Sequence, residues 1–232
     1  MTRTRLVIAL ALLASTAMSA PAFAARDSQS GQDIDKVNGS ITAEAGQQYG
    51  DLETVNGSIR LEAKAQLGDA ETVNGSIKGE DDIRSRDLST VNGGIRLGER
   101  AQVDGSVETV NGAVFVDRGS RIARGVSTVN GAIGLVDTDL GGGIETVSGD
   151  ITVGIGSHVK GGIHVEKPNQ HGFSLHFGKQ QPPRIVIGPN AVVDGALVFE
   201  REVTLYVHDS ARIGKVTGAT AVRFSTPTPP ER

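Results

Sequence analysis

The 232-residue chain has no cysteine, no tryptophan and only 3 % aromatic residues. Without cysteine no disulfide holds the fold together, and anchoring through an acylated N-terminal cysteine is excluded. So few aromatics beside 31 glycines would be odd for an ordinary globular core. They suit a chain that turns often and stacks small and branched side chains. Basic charge is also scarce, with 23 Lys and Arg against 27 Asp and Glu and no basic cluster. That balance argues against a nucleic-acid partner. No apolar run reaches the roughly twenty residues needed to cross a bilayer.

What is present begins with an export signal. Arg3 and Arg5 precede a short apolar stretch, Leu6 to Leu13, and small residues follow up to Ala22-Phe23-Ala24 before Ala25. That order is a secretory signal peptide with an A-x-A-like cleavage site, so residues 1–24 are assigned to it. Met1, Met18 and two arginines leave with it, which lowers the net charge of −4 by two. The mature product is expected to be exported, periplasmic or extracellular, with no transmembrane segment. Residues 25–33 read as a linker.

The rest is a repeat. Val-Asn-Gly recurs at Asn38, Asn56, Asn74, Asn92, Asn111 and Asn130, with a Val-Ser-Gly variant at Ser148, at intervals of 18, 18, 18, 19, 19 and 18 residues. Val37, Val55, Val73, Val91, Val110, Val129 and Val147 stand directly before the corner. Ile41, Ile59, Ile77, Ile95, Val114, Ile133 and Ile151 follow it by three residues. Ile34, Leu52, Ala70, Leu88, Val107, Val126 and Ile144 precede it by four, and Tyr49, Leu67, Val103, Ile122 and Val159 fall about eleven after it. All four registers are read as apolar and inward. Segments such as Ser58-Ile59-Arg60-Leu61 alternate with the period of a half-buried strand. Asn-Gly is read as a corner because both residues enter left-handed backbone conformations readily.

A repeat this short cannot bury its apolar side alone and must stack on the next copy, about 4.8 Å away. The expected fold is therefore all-β, a parallel β-helix (β-solenoid) of about 18-residue coils, triangular, with roughly nine or ten turns. Asn38, Asn56, Asn74, Asn92, Asn111 and Asn130 would then form a structural amide ladder. The regular coils cover 34–165. Residues 166–184 break the period with Pro168, Pro182 and Pro183 and are expected to project as a loop. Residues 185–224 read as degenerate coils, and 225–232, with three prolines, as a disordered tail.

The series Glu-Thr-Val-Asn-Gly-Ser-Ile, as in residues 53–59, resembles bacterial adhesin-like β-solenoid proteins. Ile-Gly-Pro-Asn-Ala-Val-Val-Asp-Gly-Ala-Leu, residues 187–197, is similar to the polymer-forming bactofilins. The resemblance implies a right-handed parallel β-helix, in keeping with the usual crossover preference, and a structural or adhesive role. Bactofilins are cytoplasmic scaffolds, whereas this chain carries an export signal.

Candidate chemistry lies in columns. Asp33, Asp51, Asp69 and Asp87 stand five residues before the corner, and Asp35, Glu53, Glu71, Glu108 and Glu145 three before it. Both columns are expected to point outward. Asp51, Glu53, Asp69, Glu71 and Asp87 are candidate oxygen ligands for calcium. The same pattern also describes a solvated acidic face, relieved by the basic column Arg60, Lys78 and Arg96. The calcium-binding solenoid pattern Gly-Gly-x-Gly-x-Asp is absent. Thr54, Thr72, Thr90, Thr109, Thr128 and Thr146 read as another outward column. His158, His164, His171 and His176 surround the projecting loop at spacings that match no short metal motif. Phe173, Leu175 and Phe177 alternate as in a small hairpin that would cover an open end.

No Ser/His/Asp arrangement can be assembled, and minimal coils leave little material for a cleft. The expectation is an exported, non-enzymatic structural or adhesin-like β-solenoid of the cell envelope, without a cofactor. The alternative is a glycan-binding or polysaccharide-active β-helix. The partners expected are a cell-envelope glycan and a second copy. Residues 25–33 are too short and polar to cap the N-terminal edge, so end-to-end homo-oligomers are expected there.

Overall fold

The computed structural model describes residues 31–168 and 181–230. The assigned signal peptide, most of the linker, His171, His176 and the Phe173–Phe177 segment lie outside the described residues. Every regular element within them is a β-strand. The strands form three parallel sheets. The first face has ten strands, from Gln32–Asn38, Tyr49–Asn56 and Ala70–Asn74 down to Val216–Thr217. The second also has ten, from Ile41–Ala43 to Ala221–Phe224. The third has seven short strands, from Arg84–Ser85 to Arg212–Ile213, and bridges at Gln48 and Gln66 carry it back toward the first coil. The chain visits the three faces in turn and then drops one rung, which makes a three-sided parallel β-solenoid. Ten rungs at about 4.8 Å give a stack roughly 43 Å long.

Register holds across the corner. Asn38, Asn56, Asn74, Asn92, Asn111, Asn130 and Ser148 are successive strand partners. The extra residue of a 19-residue coil enters between the third and first faces, where Asp104-Gly105-Ser106 replaces Arg86-Asp87. The core is a bundle of vertical columns. Ile41, Ile59, Ile77, Ile95, Val114, Ile133, Ile151, Ile185 and Leu205 form one on the second face, all at 1 % exposure or less. Burying such a side chain contributes about 1.5–3 kcal/mol. Gly79 interrupts a neighbouring column because a Cβ there would stand 3.2 Å from both Ile83 and Leu97.

One column differs from expectation. On the first face Leu52 and Thr54 point inward, while Glu53 and Val55 point outward. The threonine column is buried, at 4 % exposure or less for each of Thr54, Thr72, Thr90, Thr109, Thr128 and Thr146. The valine column is the exterior one, with Val37 and Val55 at 68 % and 41 % exposure. The cause is strand parity: residues four and one before the corner differ by three, so they cannot share a face. All of these buried hydroxyls but that of Thr146 find an acceptor across the corner. Thr54, Thr72, Thr90, Thr109 and Thr128 donate through Oγ1 to the carbonyls of Gly39, Gly57, Gly75, Gly93 and Gly112 at 2.8–3.1 Å.

Gly39 and Gly131 hold positive φ, at 117° and 156°, as expected of a corner glycine, but the other Val-Asn-Gly corners need glycine for a different reason. The corner asparagines all have negative φ. A Cβ on Gly57, Gly75, Gly93 or Gly112 would lie 1.9–2.2 Å from the carbonyl oxygen of the corner glycine one rung before. Close stacking of backbone excludes any side chain. The left-handed turn lies instead between the second and third faces, at Gly46, Lys64, Asp82, Arg100, Gly119, Asp137, Gly156 and Asn190, with φ between 43° and 71°.

The chain leaves the first face after Val165 and rejoins the second at Arg184–Ile187, whose Ile185 pairs with Ile151. The excursion thus occupies the place of a Val-Asn-Gly corner. Of the tail expected to be disordered, residues 225–230 are described, and the Pro230 carbonyl accepts a bond from Arg184 Nη2 at 2.6 Å.

Candidate functional surface

The first acidic column bonds along itself from coil to coil while staying partly open to solvent. Asp33 Oδ1 accepts the Asp51 N–H at 2.9 Å, Asp51 Oδ1 that of Asp69 at 2.8 Å, and Asp69 Oδ1 that of Asp87 at 3.0 Å. Asp87 Oδ1 takes both the N–H and the hydroxyl of Ser106. Each carboxylate therefore satisfies a backbone N–H of the next coil. Arg86 forks onto Asp69 through Nε and Nη2 at 2.7 and 2.5 Å, and Nη2 reaches Asp51 at 3.1 Å. Its hydrogen bond holds the Asp69 carboxyl below the usual range, and the Arg86 pKa is raised in return.

The second acidic column does face outward. Asp35, Glu53, Glu71, Ser89, Glu108, Ser127, Glu145 and His164 are successive partners along the first face. Partial burial, then the charges of Asp35 and Asp51, push Glu53 up. Burial, then Glu53 and Asp69, do the same to Glu71. The five calcium candidates therefore split. Asp51, Asp69 and Asp87 spend oxygens on backbone N–H groups, with Arg86 on the first two, whereas Glu53 and Glu71 stand in the outer column. Among the described residues no group of three or more His, Asp or Glu side chains gathers as a metal site.

Beside the glutamates runs the valine column, and beside that the asparagines. Asn56, Asn74, Asn92, Asn111 and Asn130 each donate through Nδ2 to Oδ1 of the previous corner at 2.9–3.1 Å. The ladder read from the sequence is present. Ser148 replaces the next rung, and its Oγ accepts from Arg201 Nη1 at 3.2 Å, while the same nitrogen reaches the Val147 carbonyl at 3.0 Å.

Arg60, Lys78 and Arg96 are strand partners on the second face, away from the acidic columns of the first. Arg60 pairs with Glu80, and the Arg96 guanidinium stacks 4.4 Å over the ring of Phe115. The acids of the first face are met by Arg86, which the column pattern of the sequence did not bring forward. Its position directly before Asp87, in the turn entering that face, was the available signal.

Hollows mark the surface of the described residues, two of them beside the charged columns. One, of about 320 Å³, is bordered by Ala63, Lys78, Glu80, Arg96 and Asp117. The other, of about 340 Å³, is bordered by Ser106, Glu108, Arg124, Ser127 and Glu145. Of the histidines around the excursion, two are described. His158 Nε2 lies 2.7 Å from Asp194 Oδ2, and His164 Nε2 lies 3.2 Å from Glu200 Oε1. Both pairs bridge the rungs before and after the excursion. The Lys167 N–H and then His164 hold Glu200 below the usual carboxylate range.

Comparison with protein-family models, with curated proteins and with solved structures finds no match. The fold and surface define the class: a parallel β-solenoid whose exterior residues form continuous polar and apolar columns.

Proposed function

We propose that this chain is an exported, non-enzymatic structural or adhesin-like rod of the cell envelope, presenting regular side-chain columns to an extended partner. The observation that carries it is the outer first face, where the glutamate, valine and asparagine columns run in register from rung to rung. Such a face repeats one set of contacts every 4.8 Å or so, which suits a long partner better than a compact one. A cell-envelope glycan is the partner of that shape. A glycan array on the purified protein, with fractionation of the producing cells, tests the reading. Binding to envelope polysaccharides without cleavage, and recovery outside the cytoplasm, are expected. Retention in the cytoplasm, or no binding to any envelope polymer, overturns it.

The hollow at Glu108 and Glu145 favours a second reading, a polysaccharide-active protein. These carboxylates stand two rungs apart, roughly 9.6 Å along the column, with Arg124 on the same rim. Two carboxylates with a basic residue are the kind of set that can cleave an acidic glycan. A fall in polysaccharide viscosity that Glu108→Gln abolishes would favour this reading over the first.

A further inference from the structure

The strands Gln32–Asn38, Val216–Thr217 and Ala221–Phe224 are the outermost members of their sheets, with one neighbour each among the described residues. Open parallel edges are templates for strand addition. Nearby apolar side chains add to the hazard, with Val37 and Val222 at 68 % and 48 % exposure.

The two end rungs break the inward pattern in the same way. Lys36 is the strand partner of Thr54, so by register it heads the buried threonine column. Its Nζ donates to the Ser40 carbonyl at 2.8 Å, across the corner that Thr54 spans from the next rung. At the other end Arg223 is the partner of Val207, which is fully buried. Arg223 thus ends the inward column that runs through Leu97, Val116, Leu135, Val153 and Ile187. Its Nη1 donates to the His208 carbonyl at 3.2 Å. Both cations are exposed, and among the described residues no rung lies above them.

We infer that Lys36 and Arg223 close the two ends of the solenoid to further copies of this chain. A copy stacking on either end would cover a cation with its own inward side chains. The charge would lose water without gaining a counter-charge, which is strongly unfavourable in an apolar interior. Every polarity of stacking meets the same obstacle. Head-to-tail contact brings Lys36 and Arg223 to one junction, and the two symmetric contacts bring like cations together. Inward-pointing charge is a recognised protection of sheet edges, and lysine is its commonest bearer. Ends closed in this way run against the end-to-end oligomer expected from the sequence and favour a rod of fixed length.

The test restores the interior pattern at both ends. The purified protein, Lys36→Thr, Arg223→Val and the double variant are compared by light scattering after gel filtration over a wide concentration range, and by negative-stain microscopy. The pair Lys36→Gln and Arg223→Gln removes charge at similar side-chain length, and decides the matter should the first double variant not fold by circular dichroism. Single rods are expected for the unaltered protein. The double variants should form rods in whole multiples of that length, with mass rising with concentration. End-to-end growth of the unaltered protein, or folded double variants that stay single rods, overturns the inference.

Discussion

Exchanging the roles of Thr90 and Val91 distinguishes the two possible parities of the first face. Thr90 is 4 % exposed, and its hydroxyl donates to the Gly75 carbonyl at 2.8 Å. Thr90→Val removes that bond and leaves a corner carbonyl short of a donor. A buried hydrogen bond is worth about 1 kcal/mol net, and an orphaned partner adds to the loss. Gain of apolar contact by the new methyl offsets part of it, so a cost of about 1–2 kcal/mol is expected. Val91 lies half-exposed on the outer side, and Val91→Thr should stay within about 0.5 kcal/mol of the unaltered protein. Thr146 supplies an internal control, being buried at 1 % exposure with a hydroxyl that makes no hydrogen bond. Thr146→Val should be neutral or stabilising by up to about 1 kcal/mol, since it removes a desolvated hydroxyl without breaking a bond. Thermal and urea unfolding followed by circular dichroism measure all three. A Val91→Thr protein less stable than Thr90→Val would refute the parity on which the first face rests.

Gly75→Ala places a methyl 1.9 Å from the Gly57 carbonyl oxygen and must push neighbouring coils apart, so a loss of more than about 3 kcal/mol is expected in the same unfolding assays. Lys64 holds φ 62°, and Lys64→Gly should raise stability by about 0.5–1 kcal/mol, the left-handed strain removed less the entropy of glycine. Stability against pH should pass through a maximum on the acid side of neutrality. Glu53 and Glu71 are raised, so their contribution is present below their unfolded pKa and is lost as pH rises through the folded one. Asp69 is lowered, so its contribution is present above its unfolded pKa and disappears as pH falls through the folded one. Melting temperature against pH checks this, and Glu71→Gln should flatten the rise on acidification.

The period and the isoleucine columns were legible because one corner per coil repeats with identical chemistry, and stacking demands that identity. The threonine and valine columns were assigned to the wrong sides because hydropathy ranks valine above threonine, although both are β-branched. Counting from Leu52 in steps of two reaches Thr54 and passes Val55, so the information was in the spacing. The left-handed turn was illegible for the opposite reason. Gly46, Lys64, Asp82, Arg100 and Asn190 share a backbone conformation but no side-chain chemistry. The aspartate column was found as a pattern, but its task was not. A carboxylate that caps an N–H of the next coil looks the same in sequence as one that faces water. Lys36 and Arg223 were likewise visible only once register placed them opposite Thr54 and Val207.

The asparagine ladder has a direction. Every Nδ2 points toward the N-terminal rung, so the five amide bonds from Asn130 back to Asn38 align their dipoles along one edge. Aligned bonds polarise one another, and their partial charges accumulate at the two termini of the string, as peptide dipoles do in a helix. The negative terminus is the Oδ1 end at Asn130, and the next corner, Ser148, is where the Arg201 guanidinium docks. The edge is therefore a small electrical axis with a cation near its negative pole. Replacing a middle asparagine would not simply delete one rung. It would divide one long dipole into two short ones, leaving new poles in the middle of the face.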